Sequence, residues 1–238
     1  MDLTQLFKPK YKRINDPFFK RLSSSVLGGN MLLDGNIFLM DHAIKNMPEN
    51  SCVFEIGCFG GHSSVGLLHL IKKHKRSADL YACDCWVYEG FNDHTGKIED
   101  HFDGYTSLKR EDFMNYVKAN YQEAVKLFHP EKLPYTVALT SDEFFNRINN
   151  KNECIDLFDR KVKLPAIGFA YIDGGHSYEQ CKKDFINIDK HLINKGFVLF
   201  DDSSKKMKFG SALFIKEMME NPGYELIDQN PNFLFKKR

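Results

Sequence analysis

The stretch SCVFEIGCFGGHSS, residues 51–64, decides the fold that the sequence predicts. Its first seven residues form a short apolar run, which is typical of a buried strand. Gly57, Gly60 and Gly61 follow, and glycines let a backbone turn sharply and approach a ligand closely. A helical pattern of apolar residues then begins near Ser63. Strand, glycine turn and helix in this order predict the first half of a βαβ unit.

The same alternation of apolar runs and helical patterns continues along the chain. It predicts further strands over 78–84, 135–139, 167–173 and 196–202, and helices over 63–73, 111–128 and about 210–220. A further helix carries the apolar ladder Tyr178, Cys181, Phe185, Ile188 and Leu192. The runs YELI (224–227) and FLF (233–235) predict a closing antiparallel hairpin.

This pattern predicts one α/β domain with a Rossmann-like sheet. The sheet is mostly parallel, has a C-terminal antiparallel hairpin and carries helices on both faces. We assign the domain to residues 51–238 and expect residues 1–50 to form a helical extension that packs on it. The polar stretch 88–110 has no clear periodicity and is long for a connection, so it predicts a functional loop.

Composition narrows the class of protein. The 238 residues include 33 Lys and Arg against 32 Asp and Glu, so no strong overall field would recruit a nucleic acid or an anionic membrane. Six scattered cysteines are typical of free thiols in a reducing compartment. The first residues lack the apolar core of a signal peptide. We therefore expect a soluble, cytoplasmic protein with neither nucleic acid nor membrane as partner; the sequence leaves a homo-oligomer open.

Acidic residues end the first two predicted strands. Glu55 lies at the end of the first strand and Asp84 at the end of the second. An acidic residue in the second position can bind the ribose hydroxyls of an adenosine-bearing cofactor. The glycine spacing G-x-x-G-G departs from the dinucleotide pattern G-x-G-x-x-G. The combination favours an adenosyl cofactor, although each residue alone could serve only a turn or a cap.

Three more carboxylates follow the fourth and fifth strands. Asp173 ends one strand, and Asp201 and Asp202 end the other. Neighbouring parallel strands place their carboxyl ends at one crevice, where three such charges would repel one another unless a cation lay among them. Oxygen ligands suit Mg²⁺ or Mn²⁺. In the alternative reading, Asp202 caps a turn and Asp201 faces solvent.

A histidine lies three residues beyond Asp173 in the stretch YIDGGHSYEQ (171–180). Imidazole is the side chain that ordinarily titrates near neutral pH, so His176 is a candidate proton acceptor above the same crevice. The alternative is a histidine that only begins a helix and bonds to backbone. Trp86, the single tryptophan, could pack on an adenine ring or in the core.

Two groups of motifs resemble a known family. FEIGCFGGHS, together with Asp84, resembles the first motif and the ribose-binding acid of class I S-adenosylmethionine-dependent methyltransferases, whose pattern is E/D-x-G-x-x-x-G. YIDGGHSYEQCKKDF and KGFVLFDD more narrowly resemble the macrocin-type sugar O-methyltransferases of macrolide and aminocoumarin pathways. The resemblance covers roughly residues 52–202 and leaves 1–50 and 88–130 without a counterpart.

The resemblance implies a metal-dependent transfer of a methyl group from S-adenosylmethionine to a sugar hydroxyl, on a nucleotide-linked or surface-polysaccharide sugar. Its implied cofactor-binding residues are Glu55, Gly57, Gly61, Ser63, Asp84, Trp86, Ser141 and Asp142. Its implied ligands for Mg²⁺ or Mn²⁺ are Asp173, Asp201 and Asp202. Some relatives use a histidine at the position of His176 as the base, whereas others use the metal-bound aspartate, here Asp173.

Three other functions remain open from the sequence. A catechol or another small acceptor could take the place of the sugar. A nicotinamide-dependent oxidoreductase could use a similar sheet, but it would have a tighter glycine turn and no C-terminal hairpin. A third alternative is a module that keeps the cofactor and has lost catalysis.

Overall fold

Seven strands and seven helices make up the part of the chain that the computed structural model describes, which comprises residues 11–29, 31–87, 109–204 and 209–238. The strands are β1 (Cys52–Ile56), β2 (Leu80–Cys83), β3 (Tyr135–Val137), β4 (Ile167–Ile172), β5 (Leu192–Phe200), β6 (Tyr224–Gln229) and β7 (Phe233–Lys237). They form one sheet in the order β3-β2-β1-β4-β5-β7-β6. Strand β7 pairs antiparallel with β5 and β6, and the other neighbours are parallel. The predicted fold, including its closing hairpin, is confirmed.

Helices cover both faces of this sheet. They are α1 (Pro17–Ser23), α2 (Asp34–Asn46), α3 (His62–Lys73), α4 (Arg110–Phe128), α5 (Ser141–Asn149), α6 (Tyr178–Asp189) and α7 (Ser211–Glu220). Successive strand side chains point to opposite faces. Val53 of β1 accordingly packs in the apolar cluster shared with α1 to α4, whereas Phe54 packs in the cluster shared with α5 to α7. Burial on both faces explains why the strands are continuously apolar.

The strand order places a crevice at the carboxyl end of β1. This strand pairs with β2 on one side and with β4 on the other, so the connections after β1 and after β4 leave in opposite directions. Ligands of open α/β sheets bind at such a switch point. The glycine turn and the stretch after β4 therefore face each other.

Two elements differ from their predicted bounds. Leu192 was expected at the end of a helical ladder, but it begins β5 and pairs with Ile167 of β4. Helix α6 ends at Asp189 because the parallel ladder with β4 takes over the backbone hydrogen bonds, beginning with Ile167 N–H to the His191 carbonyl. Helix α5, for which no element was predicted, begins at a capping box between Thr140 and Glu143.

The described N-terminal residues pack on the sheet domain through α1 and α2. Phe19 and Leu22 are buried in the same cluster as Val65 of α3. Within the described residues, no helix combines the length and apolar character that a membrane crossing requires. The predicted loop 88–110 lies almost wholly outside the described residues.

Candidate active site

A cavity of about 620 Å³ opens at the carboxyl ends of β1 to β4. It is lined by the glycine turn after β1, by the ends of β2 and β3, by the stretch after β4 and by Gln180 and Asp184 of α6. Residues before α2, among them Leu27 and Met31, close another side. The cavity therefore lies at the switch point that the strand order creates.

The backbone conformation and the close packing of the glycine turn leave no room for a Cβ at two of its positions. Gly57 has a φ of +84°, and a Cβ added there would lie 2.0 Å from the carbonyl oxygen of Asp173. Gly61 has a φ of +94°, and its Cβ would meet the Tyr121 ring at 3.1 Å. Positive φ and close packing both require glycine. The turn is thus pressed against the end of β4, next to Asp173.

Glu55 lies beneath this turn rather than on the cavity surface. It is fully buried, and its Oε2 accepts a hydrogen bond from the Ser64 hydroxyl, whereas Oε1 has no partner among the described residues. Burial is the main reason that the pKa of Glu55 rises to about 7, and the charge of Asp84 also raises it. Hydrogen bonds from Ser63 and Ser64 lower this pKa, but by less than burial raises it. Glu55 supports the turn from behind; its predicted contact with a cofactor stays a prediction.

Asp84 lines the cavity and ties two loops together. Its Oδ2 accepts the backbone N–H groups of Cys58 (2.8 Å) and Phe59 (2.9 Å), and its Oδ1 accepts that of Trp86 (2.7 Å). Trp86 itself is buried, donates its indole N–H to the Phe59 carbonyl and packs on Tyr121. The structure thus places Trp86 in the core beneath the turn and leaves Asp84 facing the cavity.

His62, at the start of α3, lines the cavity, although the sequence alone did not place it among the predicted site residues. The Ser23 hydroxyl donates to the Phe19 carbonyl at 2.9 Å and lies 3.1 Å from His62 Nε2. In the tautomer with the proton on Nε2, Nε2–H donates to the Ser23 hydroxyl and Nδ1 carries a lone pair. Nδ1 is buried without a partner among the described residues, and burial lowers the pKa of His62 to about 4. His62 lines the cavity and, with this pKa, is neutral at pH 7.

Asp173 and Asp201 meet at the Tyr171 hydroxyl, which lies 3.1 Å from Asp173 Oδ2 and 2.5 Å from Asp201 Oδ2. Asp173 lines the cavity, whereas Asp201 is buried behind it. Burial raises the pKa of Asp173 well above its usual range, and the charges of Asp201 and Asp202 add to this. Burial and the charge of Asp201 also raise the pKa of Asp202, to about 6.

Asp201 is held in a network of amides. Its Oδ1 accepts hydrogen bonds from Asn36 Nδ2 (2.7 Å), from Asn232 Nδ2 and from the Asp202 backbone N–H (2.8 Å). These contacts join the end of β5 to α2 and to the start of β7. The carboxylate therefore fixes the packing of three elements.

The predicted ligand set for a divalent cation fits only in part. Within the described ranges, no group of three or more His, Cys, Asp and Glu side chains stands at metal-binding spacing. Both oxygens of Asp201 are already occupied by donors, so a cation could bind there only by displacing one of them. Metal binding by Asp173, Asp201 and Asp202 stays a prediction.

His176 lies on the cavity wall beside Asp202. The two side chains are about one quarter exposed, and His176 Nε2 lies 3.4 Å from Asp202 Oδ2. The imidazole ring also packs on Phe209 at 4.9 Å between centroids. A histidine held by an aromatic ring and a carboxylate can accept a proton from a bound ligand and be stabilised when it does so.

Comparison with known proteins identifies the family. A family model described as a methyltransferase domain matches residues 54–203, which is more than half of the chain. The chain belongs to this methyltransferase family. Among curated proteins, no sequence matches it.

Solved structures share the fold of this methyltransferase at low identity. Methyltransferase PaMTH1 of Podospora anserina, bound to S-adenosylhomocysteine, is 11% identical with a TM-score of 0.57, over 96% of this chain and 90% of its own. The O-methyltransferase TomG of Streptomyces achromogenes, bound to S-adenosylmethionine, is 9% identical with a TM-score of 0.53, over 94% and 91%. The calicheamicin methyltransferase CalS11 is 14% identical with a TM-score of 0.53, over 100% and 96%. These likenesses support the fold.

The cavity of the methyltransferase gathers part of the predicted site. The predicted residues that line it are Gly57, Ser63, Asp84, Ser141, Asp142, Asp173 and His176; those that do not are Glu55, Gly61, Trp86, Asp201 and Asp202. Gln180 and Asp184 line it without having been predicted. A signal for Asp184 exists in the sequence, because it lies three residues after Cys181 and four before Ile188 on the apolar ladder of α6.

Proposed function

We propose that this methyltransferase transfers the methyl group of S-adenosylmethionine to a hydroxyl of a sugar, on a nucleotide-linked or surface-polysaccharide sugar. One observation carries the proposal: a single cavity joins the glycine turn, Asp84 and His176. Its volume of about 620 Å³ is in the range of sites that enclose a cofactor-sized ligand. The sugar rests on the resemblance of the motifs around Asp173 and Asp202.

The residues of the cavity offer a place for each part of the cofactor. The start of α3 presents unpaired backbone N–H groups and a positive dipole end, which favour the carboxylate of the methionine part. His62 Nδ1 can accept from the ammonium group. Asp84 Oδ1 accepts only the Trp86 amide among the described residues, so it has capacity for a ribose hydroxyl. The cofactors named for PaMTH1 and TomG support this choice.

When bound, the cofactor supplies a methyl group on a positively charged sulfur, which an acceptor oxygen displaces in line. The task of the chain is to remove the proton of the acceptor hydroxyl and to hold the oxygen on the line of attack. His176 takes the proton, and Asp202, 3.4 Å from Nε2, stabilises the imidazolium that forms. Asp173 on the same wall can orient the acceptor by accepting a hydrogen bond from a neighbouring hydroxyl.

Metal dependence is a further part of the proposal. It is supported by the closeness of Asp173 and Asp201, which share the Tyr171 hydroxyl, and by Asp202 in the next position. No step above depends on a cation. Chelation by EDTA, followed by addition of Mg²⁺ or Mn²⁺, separates the two cases. Loss and recovery of turnover would support the metal, whereas full activity in EDTA would remove it from the proposal.

Methyl transfer from labelled S-adenosylmethionine to a panel of nucleotide-linked sugars tests the reaction itself. Catechols in the same panel test the small-acceptor alternative. We expect label in a sugar, and label only in catechols would overturn the sugar assignment. Cofactor binding without product from any acceptor would favour a module that has lost catalysis. The oxidoreductase alternative is set aside by the family assignment and by the hairpin of β6 and β7.

Two histidine variants test whether His176 is the base that removes the acceptor proton. We expect His176→Ala to lower turnover by on the order of a hundredfold or more, with cofactor affinity unchanged. The matched control is His191→Ala, because His191 directly precedes β5, near Asn149, and so lies at the amino ends of the parallel strands, away from the cavity at their carboxyl ends. A rate close to that of the control variant would return the role of base to Asp173 or to solvent.

A further inference from the structure

One serine at the start of α7 bonds to the backbone of both residues that carry the proposed proton transfer. The Ser211 backbone N–H donates to the His176 carbonyl at 3.0 Å, and the Ser211 hydroxyl donates to the Asp202 carbonyl at 2.8 Å. Ser211 is 2% exposed, so water has little access to either bond. Ser211 therefore connects the stretch after β4, which carries His176, to the stretch after β5, which carries Asp202.

The backbone of Asp202 has a conformation that needs support. Its φ is +47°, in the left-handed region that residues other than glycine rarely adopt. The Asp202 N–H donates to Asp201 Oδ1 at 2.8 Å, and the Asp202 carbonyl accepts the Ser211 hydroxyl. Asp201 Oδ1 is itself held by the amides of Asn36 and Asn232. The hydroxyl of Ser211 thus completes the support that sets the direction of the Asp202 side chain.

The start of α7 also lies directly against the chain around His176. A Cβ added at Gly210 would lie 2.1 Å from the backbone nitrogen of Tyr178, so only glycine allows this approach. Phe209, which precedes Gly210, packs on the imidazole ring. Gly210 is the N-cap residue and offers no side chain, and the His176 carbonyl accepts the N–H of the first helical residue. The backbone of His176 is therefore fixed to α7.

The contact between the two side chains leaves little tolerance for movement. His176 Nε2 lies 3.4 Å from Asp202 Oδ2, just beyond the usual range of a hydrogen bond. The attraction between two charges weakens with distance, and a displacement of about 1 Å in a site can lower a rate by on the order of a hundredfold. Both side chains are about one quarter exposed, so their surroundings do not fully enclose them. Their separation therefore depends on how the two backbones are held.

We propose that Ser211 is a positioning residue that joins the backbones of His176 and Asp202, so that the carboxylate stays beside the imidazole during proton transfer. The inference rests on the proposed function, in which His176 removes the proton of the acceptor hydroxyl. Ser211 is buried and is not one of the residues that line the cavity, so it acts through His176 and Asp202 and not on a ligand.

A double-mutant cycle tests this role, with turnover measured on the sugar that takes the label from S-adenosylmethionine. We expect Ser211→Ala to lower kcat by on the order of tenfold, with the KM of the sugar and the affinity for S-adenosylhomocysteine unchanged. In the His176→Ala background the same change should leave kcat unchanged, because no imidazole remains to be aligned. An equal loss of kcat in both backgrounds would show a merely structural role and overturn the inference. An unchanged kcat of Ser211→Ala alone would overturn it as well.

Ser51→Ala is the matched control. The Ser51 hydroxyl is also buried and donates to a backbone carbonyl, that of Pro48, but Ser51 directly precedes β1 at the amino ends of the parallel strands. Ser51→Ala should lower the Tm about as much as Ser211→Ala does and leave kcat at its wild-type value. A loss of kcat equal to that of Ser211→Ala would attribute the effect to stability and overturn the inference.

A further variant keeps the test decisive if Ser211→Ala does not fold. Ser211→Cys fills nearly the same space with a weak donor, so it should lower kcat in the wild-type background and leave it unchanged in the His176→Ala background. Absence of methyl transfer by the wild-type chain would instead overturn the proposed function, and this inference with it. A wild-type kcat of His176→Ala would overturn the assignment of the base, and the role of Ser211 would fall with that assignment.

Discussion

Replacing Glu55 with glutamine removes a carboxylate that is fully buried beneath the glycine turn. The pKa of this group rises from its ordinary 4.5 to about 7, chiefly because burial disfavours the charge and further because Asp84 lies near. The folded state therefore binds the proton more tightly than the unfolded chain. By linkage, the stability is fully present below pH 4.5 and is lost as pH rises towards and through 7.

The magnitude follows from the pKa shift. A shift of roughly 2.5 units corresponds to about 3 kcal/mol at high pH, at about 1.4 kcal/mol per unit. Of this, about 2 kcal/mol is lost between pH 5.5 and pH 8.5. For a chain of this size, about 2 kcal/mol corresponds to a Tm change of roughly 4–8 °C. Glutamine keeps an acceptor for the Ser64 hydroxyl but does not titrate.

Thermal unfolding of cofactor-free protein across this pH range measures the effect. The Tm of Glu55→Gln minus that of the wild-type chain should grow by roughly 4–8 °C from pH 5.5 to pH 8.5. Glu225→Gln, at an exposed position of β6, is the matched control and should give a constant difference. Parallel Tm curves for Glu55→Gln and wild type would refute the reasoning, because they would mean that Glu55 titrates alike in both states.

Three other changes follow from the same contacts. Gly57→Ala should lower the free energy of unfolding, measured in urea, by roughly 2–4 kcal/mol, because the new Cβ would lie 2.0 Å from the Asp173 carbonyl oxygen at a positive φ. The control Gly223→Ala, whose new Cβ has its nearest contact at 3.3 Å, should leave the free energy of unfolding almost unchanged. Asn36→Ala should lower the free energy of unfolding by about 2 kcal/mol, because it removes a buried hydrogen-bond donor from Asp201. A decrease below about 0.5 kcal/mol would contradict that role. His62→Leu should weaken the binding of S-adenosylhomocysteine by about tenfold and leave the binding of 5′-methylthioadenosine unchanged, since only the former has the ammonium group. Equal losses of affinity for the two ligands in calorimetry would contradict this role of His62.

The sequence predicted the sheet because local and global signals agree there. Residues Cys52–Ile56 are apolar on both faces apart from Glu55, as a central parallel strand requires. Gly57 and Gly61 marked the turn, and acidic residues at strand ends marked the crevice. The departures came where long-range contacts decided the outcome. Leu192 fits a helical ladder, yet it belongs to β5 because it pairs with Ile167 of β4 in the parallel sheet.

Within the site, partners distant in the chain changed what the same residue types do. Asp201 was predicted to bind a metal ion, which stays a prediction. The structure adds two amide donors to this carboxylate, Asn36 at 165 residues along the chain and Asn232 at 31 residues. Trp86 was placed beside an adenine or in the core, and the fold buries it against Tyr121. No local pattern contains these contacts.

The sequence by itself determined the class of fold, the family motifs and the positions of Asp84 and Asp173 at strand ends, with His176 just beyond, because short-range periodicity fixes where a strand stops. Tertiary structure decided which polar atoms are left with capacity for a ligand. Ser23 lies against Nε2 of His62 and leaves Nδ1 without a partner among the described residues, and Asp184 accepts the hydrogen of the Ser141 hydroxyl. The physical reason is that a buried hydrogen bond depends on which groups meet across the core, and packing alone brings those groups together.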